Sequence, residues 1–316
     1  MKSKGPENDS IEIIDAHSHL GNILYEGGGG IIEQKGIKPR NRIFDTSWIM
    51  ERVSWETAEA LDENPLFRAF TTFAERKRNA GATLENMKKA HNQTGIRQAC
   101  CLPIPPYVTF EDLKRAQTLD DRVIPFTGVD FNHMEDMEGQ LRRNVMRGAR
   151  GMKIHPIIQN ISPTDQRVRD VIDEFSQYKL PILFHTGVSS YYFGEELRRE
   201  NTEFGRLELI EKMAEDTRGR TNIILGHAGL EQNDYVIERM GKYPNVFADT
   251  SFLSPKRIRR LINAFGSERV LFGSDWPYSD IEPAKESLEE VLVKETDKRV
   301  RVRIFRDNIR KLIQLV

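Results

Sequence analysis

Short apolar runs recur along this chain, and five of them end in a histidine or an aspartate. Alternate side chains of a β-strand point the same way, so His17 and His19, which close the first run, project together. Two converging imidazoles form a natural clamp for a divalent metal. The later runs that end in this way are Gly151–His155, Ile182–His185, Ile223–His227 and Val270–Asp275. The series predicts a metal site where the carboxyl ends of several strands meet.

From residue 96 onward, strand-like runs alternate with helical patterns. Strands are predicted over 96–103, 122–129, 151–155, 180–185, 221–227, 245–249 and 269–275, and the run before His17 adds an eighth. Helices are predicted over 110–119, 134–146, 164–178, 202–217, 234–242, 255–265 and 282–293. Apolar strands joined by helices imply a parallel sheet, and eight such units predict an α/β fold, a (β/α)8 TIM barrel. An open doubly wound sheet is the alternative, but no Gly-X-Gly-X-X-Gly follows the first strand.

The polar residues 1–10 are predicted to be a disordered tail, and residues 11–316 a single domain. That domain carries a helical insertion after strand 1, at about 20–95, with helical patterns near 47–61, 65–78 and 83–93. Because the insertion follows His19 directly, it is expected to form one wall of the pocket, and its run of glycines at 27–30 suits a mobile loop. The basic segment 298–316 is predicted to form an amphipathic helix on the outside of the barrel.

Composition narrows the classes of partner. The formal net charge of −1 over 316 residues provides no bulk attraction to nucleic acid or anionic lipid. No run is long and apolar enough to span a bilayer, and the polar N-terminus does not resemble a signal peptide. Cys100 and Cys101 are adjacent, which makes them a poor disulfide pair and suits buried thiols in a reducing compartment. These features predict a cytoplasmic protein with a small-molecule substrate and with neither nucleic acid nor membrane as partner; a homodimer stays open.

Four residues are predicted to bind the metal, namely His17, His19, His185 and Asp275. Imidazole plus carboxylate is a set that zinc favours, and manganese and iron also accept it. One ion is expected, with two as the alternative. Asp275 is a candidate both for ligand and for acceptor of a proton from water. His227 is a candidate either for a proton-transfer group or for a ligand of a second ion.

The fourth strand carries Lys153 and His155 on one face. A lysine in a barrel mouth is costly unless it is paired or chemically used. We favour an ammonium that binds a substrate carboxylate or oxyanion, with a structural ion pair and a metal-bridging carbamate as alternatives. His155 and Trp276 are predicted to contact the substrate. Asp249 is either an acceptor behind the metal ligands or an aspartate that caps a turn.

Seven stretches of this chain together resemble the amidohydrolase superfamily, in its amidohydrolase-related (amidohydrolase 2) branch. They are IDAHSH at 14–19, GMKIHP at 151–156, LFHTG at 183–187, LGHAG at 225–229, NVFADTS at 245–251, LFGSDWP at 271–277 and FRDNIRKL at 305–312. The resemblance implies a metal-dependent (β/α)8 hydrolase or lyase. It also implies that His17, His19, His185 and Asp275 are the ligands of strands 1, 5 and 8. His227 then matches a strand 6 histidine that is a ligand in binuclear members and a catalytic or substrate-polarising group in mononuclear ones.

The function expected from this resemblance is hydrolysis of an amide, lactone or ester bond in a small carboxylated molecule. The alternative is nonoxidative decarboxylation, which the same branch also contains. The Gly-X-Lys-X-His-Pro pattern at 151–156 favours hydrolysis over decarboxylation. The strand that carries Lys153 bears a carboxylated lysine in some binuclear members.

Overall fold

The computed structural model describes residues 11–37, 45–50, 64–217, 219–293 and 295–315, together with residues 53, 57 and 61. The tail predicted over 1–10 and most of the helix predicted over 47–61 lie outside these residues. Within the described part of the chain, no helix is both long enough and apolar enough to cross a membrane.

The described strands form one closed parallel ring. They are β1 Ile13–Ser18, β2 Ile96–Cys101, β3 Val123–Pro125, β4 Met152–Ile154, β5 Ile182–His185, β6 Ile223–Gly226, β7 Val246–Asp249 and β8 Val270–Leu271. Hydrogen bonds order them as β1-β2-β3 and as β4-β5-β6-β7-β8. A bridge from Thr127 to Met152 joins β3 to β4, and a bridge from Ser18 to Trp276 joins β1 to the chain just after β8. The predicted (β/α)8 barrel is therefore confirmed.

Helices surround this ring and cover one end of it. The insertion contains α1 Thr46–Met50, α2 Pro65–Asn79 and α3 Leu84–Thr94. The outer layer contains α4 Phe110–Leu119, α5 Met137–Met146, α6 Gln166–Ser176, α7 Leu207–Asp216, α8 Asn233–Tyr235, α9 Pro255–Phe265 and α10 Ile281–Leu292. Local sequence determines where several of these helices begin. In α9, for example, Ser254 caps the helix by accepting from the Arg257 N–H, and Pro255 occupies the first turn.

The last helices close the bottom of the barrel. They are α11 Lys298–Val302 and α12 Asn308–Leu312, joined by a π-helical turn at Arg303–Asp307. Ile309, Leu312 and Ile313 pack with inward-facing strand residues such as Ile14 and Leu271. The expectation that this segment lies on the outside of the barrel is therefore confirmed for Val300, Ile304 and Phe305, which pack in the outer apolar core. It is wrong for α12, whose apolar side chains pack inside the barrel.

The insertion lies at the opposite end, above the carboxyl ends of the strands. The Thr72 hydroxyl donates to the Ser190 carbonyl at 3.2 Å, and Arg78 Nη1 donates to the Tyr278 carbonyl at 2.9 Å. Gly28 and Gly29 are buried, and a Cβ on Gly28 would overlap the Asn22 carbonyl oxygen. Gly28 and Gly29 thus occupy a packed turn in which a side chain would clash, whereas Gly27 and Gly30 face open space. The mobility expected of this loop stays a prediction.

Five strands end earlier than the sequence predicts, and two of these ends lead to candidate site residues. The strand expected over 269–275 stops at Leu271, and Asp275 adopts a left-handed backbone with φ of 60°. His227 also follows its strand with a left-handed φ of 61°. Such backbone is strained for residues other than glycine and concentrates at functional sites. The candidate site residues Asp275 and His227 therefore stand on tight turns just above the strands.

Away from the site, Glu211 on α7 ties the outer layer together. Its carboxylate accepts hydrogen bonds from Tyr235, Arg239, Lys242 and Tyr243. Burial alone would disfavour the charge, but the four donors outweigh it and lower the pKa of Glu211 to about 2.

Replacing Glu211 by glutamine should lower the free energy of unfolding by about 2 kcal/mol at neutral pH, because charge-assisted hydrogen bonds are lost. A lowered folded pKa stabilises the fold above the ordinary glutamate pKa of 4.5, and this stabilisation disappears as pH falls towards 2. Denaturant titrations should therefore show the gap between wild type and Glu211→Gln closing as pH falls. Glu208→Gln, an exposed change on the same helix, is the control. A gap that is independent of pH would contradict this role.

Candidate metal centre

Three of the predicted ligands meet above β1 and β8. His17 Nε2 lies 3.2 Å from Asp275 Oδ1, and His19 Nε2 lies 3.3 Å from the same oxygen. One ligand atom from each residue lies within 4.8 Å of the others, and all three side chains are buried. A second such group contains His17, His227 and Asp249.

Hydrogen bonds on the far side of each ring fix which nitrogen faces the centre. His19 Nδ1 is 2.9 Å from the Leu102 carbonyl, which can only accept, so Nδ1 carries the proton. His17 Nδ1 donates in the same way to Asp249 Oδ2 at 2.8 Å. Burial, reinforced by Lys153, lowers the pKa of His17 well below its usual value and that of His19 to about 3. Both rings are therefore neutral and present a bare Nε2 to Asp275.

His227 faces the same carboxylate from β6. Its Nδ1 lies 2.8 Å from Ser251 Oγ, and the Ser251 hydroxyl donates onward to Asp249 Oδ1. The Ser251 oxygen must then accept from His227, which leaves His227 Nε2 bare and 3.8 Å from Asp275 Oδ2. The ring of His227 also stacks on that of His17, with centroids 4.7 Å apart.

This donor set fits a divalent cation. Asp275 Oδ1 is buried and has no hydrogen-bond partner among the described residues, although two imidazole nitrogens lie beside it. When Asp275 is ionised, the three atoms each offer an electron pair and none offers a proton, so they repel one another without a cation between them. Burial raises the pKa of Asp275 well above its usual value, with Lys153 opposing and Asp249 adding to the rise. A bound cation would reverse that effect and favour the carboxylate.

Lys153 is the cation that the chain itself places here. Its Nζ lies 3.4 Å from His17 Nε2, and the side chain is fully buried. Burial lowers the pKa of Lys153 to about 8, while Asp275 and Asp249 act in the opposite direction. The amine therefore stays mostly charged at neutral pH, and a fraction of it is neutral.

His185, the fourth predicted ligand, lies beside this centre rather than within it. Neither group of ligand atoms within 4.8 Å contains His185, and its ring centroid is 5.0 Å from that of His227. Its Nε2 is 3.2 Å from the Gly187 carbonyl, so Nε2 carries the proton and Nδ1 the free electron pair. Its role as a ligand stays a prediction.

His155 supports His185 instead of lining the centre directly. The two rings stack with centroids 4.0 Å apart and an interplanar angle of 13°. His155 Nδ1 accepts from the Ile158 N–H, so Nε2 donates to the Tyr191 hydroxyl at 3.2 Å. The predicted contact of His155 with substrate stays a prediction.

Close packing makes room for the His17 ring. A Cβ on Gly273 would lie 3.1 Å from His17 Cβ, and a Cβ on Gly226 would lie 3.1 Å from His17 Cε1. Below the ring, Asp15 accepts from the backbone N–H groups of His17 and Ser274, each at 3.0 Å. Asp15 therefore holds β1 against the turn that carries Asp275.

The aromatic residues after Asp275 take different positions. The Trp276 carbonyl accepts the His19 N–H at 2.7 Å, while its ring belongs to the outer apolar core. The Tyr278 ring stands edge-on to His19, with centroids 6.0 Å apart. The substrate contact predicted for Trp276 stays a prediction. Of these two residues, Tyr278 is the one whose ring lies beside a predicted ligand, His19.

Sequence reasoning did not single out Ser251 or Tyr191. Ser251 follows Asp249 by two residues within the motif at 245–251, and that spacing was the available signal. Tyr191 lies on an irregular loop after β5, where no periodic pattern marks it. Asp249, left open between two roles, is the acceptor that orients His17.

Comparison with known proteins places the chain in a family. The family described as Amidohydrolase matches residues 14–315. A curated relative is gamma-resorcylate decarboxylase of Rhizobium radiobacter, which is 28% identical over 137 residues, or 37% of this chain and 41% of the relative. The chain thus matches about two fifths of the length of that relative.

Solved structures of two activities share the fold. One is 5-carboxyvanillate decarboxylase of Novosphingobium aromaticivorans complexed with manganese and 4-hydroxy-3-methoxy-5-nitrobenzoic acid, with a TM-score of 0.62, 15% identity and coverage of 98% of this chain and 97% of that one. Another is a probable 2-pyrone-4,6-dicarboxylic acid hydrolase of Acinetobacter baumannii with citric acid bound, with a TM-score of 0.57, 11% identity and coverage of 96% and 100%. At these identities the likeness shows the fold alone.

Replacing His17 by alanine should strongly reduce the metal content of the purified protein, because one of few ligands is lost and Asp249 loses its partner. Elemental analysis of protein purified without added metal is the measurement. His133→Ala, which alters a largely exposed histidine, is the control and should keep the wild-type content. Equal metal content in His17→Ala and wild type would contradict a centre at this position.

Proposed function

This chain belongs to the amidohydrolase family, and from that premise we propose that it is a metal-dependent hydrolase. The bond cleaved is an amide, lactone or ester in a small carboxylated molecule. The observation that carries the proposal is the meeting of bare electron pairs from His17, His19 and Asp275 beside Lys153. Catalytic metal sites combine imidazole and carboxylate in this way and leave room for substrate.

His17, His19 and Asp275 would hold one divalent ion, with His185 as the fourth ligand. The ion would supply Lewis acidity, which acidifies water and polarises a carbonyl oxygen. Zinc is our first choice, and manganese or iron suits the same ligands. Two ions are the alternative, in which His227 would be a ligand of the second ion and a carboxylated Lys153 would supply a further ligand.

Proton transfer falls to Asp275 and His227. In hydrolysis, water adds to the carbonyl carbon, the bond to nitrogen or oxygen breaks, and the leaving group takes up a proton. Asp275 is the proposed acceptor of the proton that water loses. His227 Nε2, 3.8 Å from Asp275 Oδ2, is positioned to exchange that proton with the leaving group. The contact of His227 with Ser251 and Asp249 holds the ring in one tautomer.

Lys153 would bind the charged end of the substrate. Its ammonium is buried beside His17, where a carboxylate or a developing oxyanion would find an unscreened partner. His155 and Trp276 are the further residues that we assign to the substrate pocket.

Decarboxylation is the second candidate, and the curated relative that carries this activity favours it. In that reaction the bond from the carboxyl carbon breaks, carbon dioxide leaves, and the carbon left behind takes a proton. Asp275 and His227 could deliver that proton from the same positions. The two reactions therefore use one set of residues and differ in their products.

The remaining assignments are also proposals. Cys100 and Cys101 are buried and free, which suits a reducing compartment and supports the cytoplasm as location. Residues 11–316 would form a single domain that acts on a small molecule, without nucleic acid or membrane. A homodimer remains an alternative to the monomer.

Product analysis on a small panel should distinguish the two reactions. Zinc- or manganese-loaded protein would be incubated with 2-pyrone-4,6-dicarboxylate, simple carboxylated amides and esters, 2,6-dihydroxybenzoate and 5-carboxyvanillate. We expect ring opening or acid release without carbon dioxide. Carbon dioxide from the aromatic acids alone would establish the decarboxylase alternative. Inactivity of the metal-loaded protein on both classes would refute both reactions.

Replacing His227 by asparagine should lower turnover by about a hundredfold or more, as expected when an acid–base group is lost. The fold and the metal content should stay close to wild type, measured by circular dichroism and elemental analysis. Loss of half the bound metal would make His227 a ligand of a second ion. Near-normal turnover in His227→Asn would leave Asp275 as the only proton-transfer group.

A further inference from the structure

Tyr278 is a buried tyrosine, 4% exposed, whose hydroxyl has no hydrogen-bond partner in the part of the chain that the structure describes. A buried hydroxyl without a partner costs free energy and is explained when a ligand supplies the missing acceptor. We propose that the hydroxyls of Tyr278 and Tyr191 form a pair of donors that binds a carboxylate oxygen of the substrate. The proposal rests on the proposed function only in placing that substrate at the metal centre.

Tyr278 lies between His19 and Tyr191. Its ring is edge-on to His19, with centroids 6.0 Å apart, and its centroid lies 6.4 Å from that of Tyr191. Tyr191 in turn lies 5.2 Å from His155 and 6.2 Å from His185, measured between ring centroids. The two phenol rings therefore lie beside His19 and His185, on the loops that follow β8 and β5.

The backbone of Tyr278 is held on both sides. Its N–H donates to the Asp275 carbonyl at 2.8 Å, and its own carbonyl accepts from Arg78 Nη1 at 2.9 Å. One contact anchors it to the metal-binding turn and the other to α2 of the insertion. The hydroxyl is therefore presented by a fixed support, as preorganised binding groups are.

Hydrogen-bond accounting leaves the proton of Tyr191 free as well. The Tyr191 oxygen accepts from the Ser189 hydroxyl at 2.9 Å and from His155 Nε2 at 3.2 Å. A phenol that accepts twice still has one proton to donate. Burial raises the pKa of both tyrosines well above the usual value, so both remain donors at neutral pH.

Two neighbouring phenols that can each donate suit an acceptor that has no proton of its own. A carboxylate is such a group and, being charged, accepts more strongly than a neutral carbonyl oxygen. Asp275 and Glu75 lie close enough to act on the charge of both tyrosines, and they would repel a second anion. Lys153 and the metal ion offset that repulsion. Carboxylate binding by the pair should therefore require metal-loaded protein.

Tyr192 offers a matched control next to Tyr191. Its hydroxyl is also buried but donates to the Leu24 carbonyl at 3.0 Å, so its partner lies within the protein. Replacing either tyrosine by phenylalanine removes one oxygen and keeps the ring. Tyr192→Phe should lose folding stability, because the Leu24 carbonyl loses one of its two donors, the other being Arg199 Nη2. Tyr278→Phe should lose only ligand affinity.

The experiment measures binding and melting temperature separately. Manganese-loaded wild type, Tyr278→Phe, Tyr191→Phe and Tyr192→Phe would be titrated with 2,6-dihydroxybenzoate, 2-pyrone-4,6-dicarboxylate and citrate. Resorcinol, which lacks the carboxylate of 2,6-dihydroxybenzoate, is the matched probe. For the carboxylates that wild type binds, we expect dissociation constants to rise about tenfold or more in Tyr278→Phe and Tyr191→Phe. Binding by Tyr192→Phe, and binding of resorcinol by every variant, should be unchanged.

Melting without ligand supplies the second readout. Tyr278→Phe should melt no lower than wild type, whereas Tyr192→Phe should melt lower. Unchanged carboxylate affinity in Tyr278→Phe would overturn the proposal, and so would a loss of stability equal to that of Tyr192→Phe. Failure of metal-loaded wild type to bind any of the carboxylates would overturn it too. Because binding needs no turnover, an inactive protein that passes these tests would refute the proposed reaction and leave the carboxylate site standing.

Discussion

The mutual repulsion of three electron pairs is the constraint on which the centre of this molecule depends. His17 Nε2 and His19 Nε2 lie 3.2 and 3.3 Å from Asp275 Oδ1, and neither nitrogen carries a proton. Hydrogen bonds to Asp249 and Leu102 prevent the rings from turning their protons inward. These buried polar groups are thus held in an arrangement that a bound cation makes favourable.

The rest of the fold maintains that arrangement. Barrel closure places β1 beside the turn after β8, and Asp15 ties the two together through Ser274. The terminal helix α12 fills the opposite end of the barrel, so the interior is solid beneath the site. Arg78, in α2 of the insertion, donates to the Tyr278 carbonyl and so fixes the insertion against the loop after β8.

Particular residues show how far sequence patterns reach. His17 and His19 share one strand, so their common direction follows from the period of two along a β-strand. The position of the strands follows from apolar runs, and their closure into a ring follows from the number of β/α units. An apolar stripe indicates burial without indicating the surface that buries it, so the position of α12 inside the barrel does not follow from the sequence. Glycine permits both mobility and close packing, so the sequence does not reveal that Gly28 and Gly29 are packed.

By itself, the sequence determined the barrel, the end at which the chemistry lies, and the residue types that gather there. These properties follow from local periodicity and from the rule that parallel strands present their carboxyl ends together. Only the tertiary structure decided which ring nitrogen faces the centre, that His185 lies beside the group rather than within it, and that the Tyr278 hydroxyl has no partner among the described residues. Each of these depends on a contact between residues far apart in the chain, such as His17 with Asp249, and no local pattern encodes such a contact.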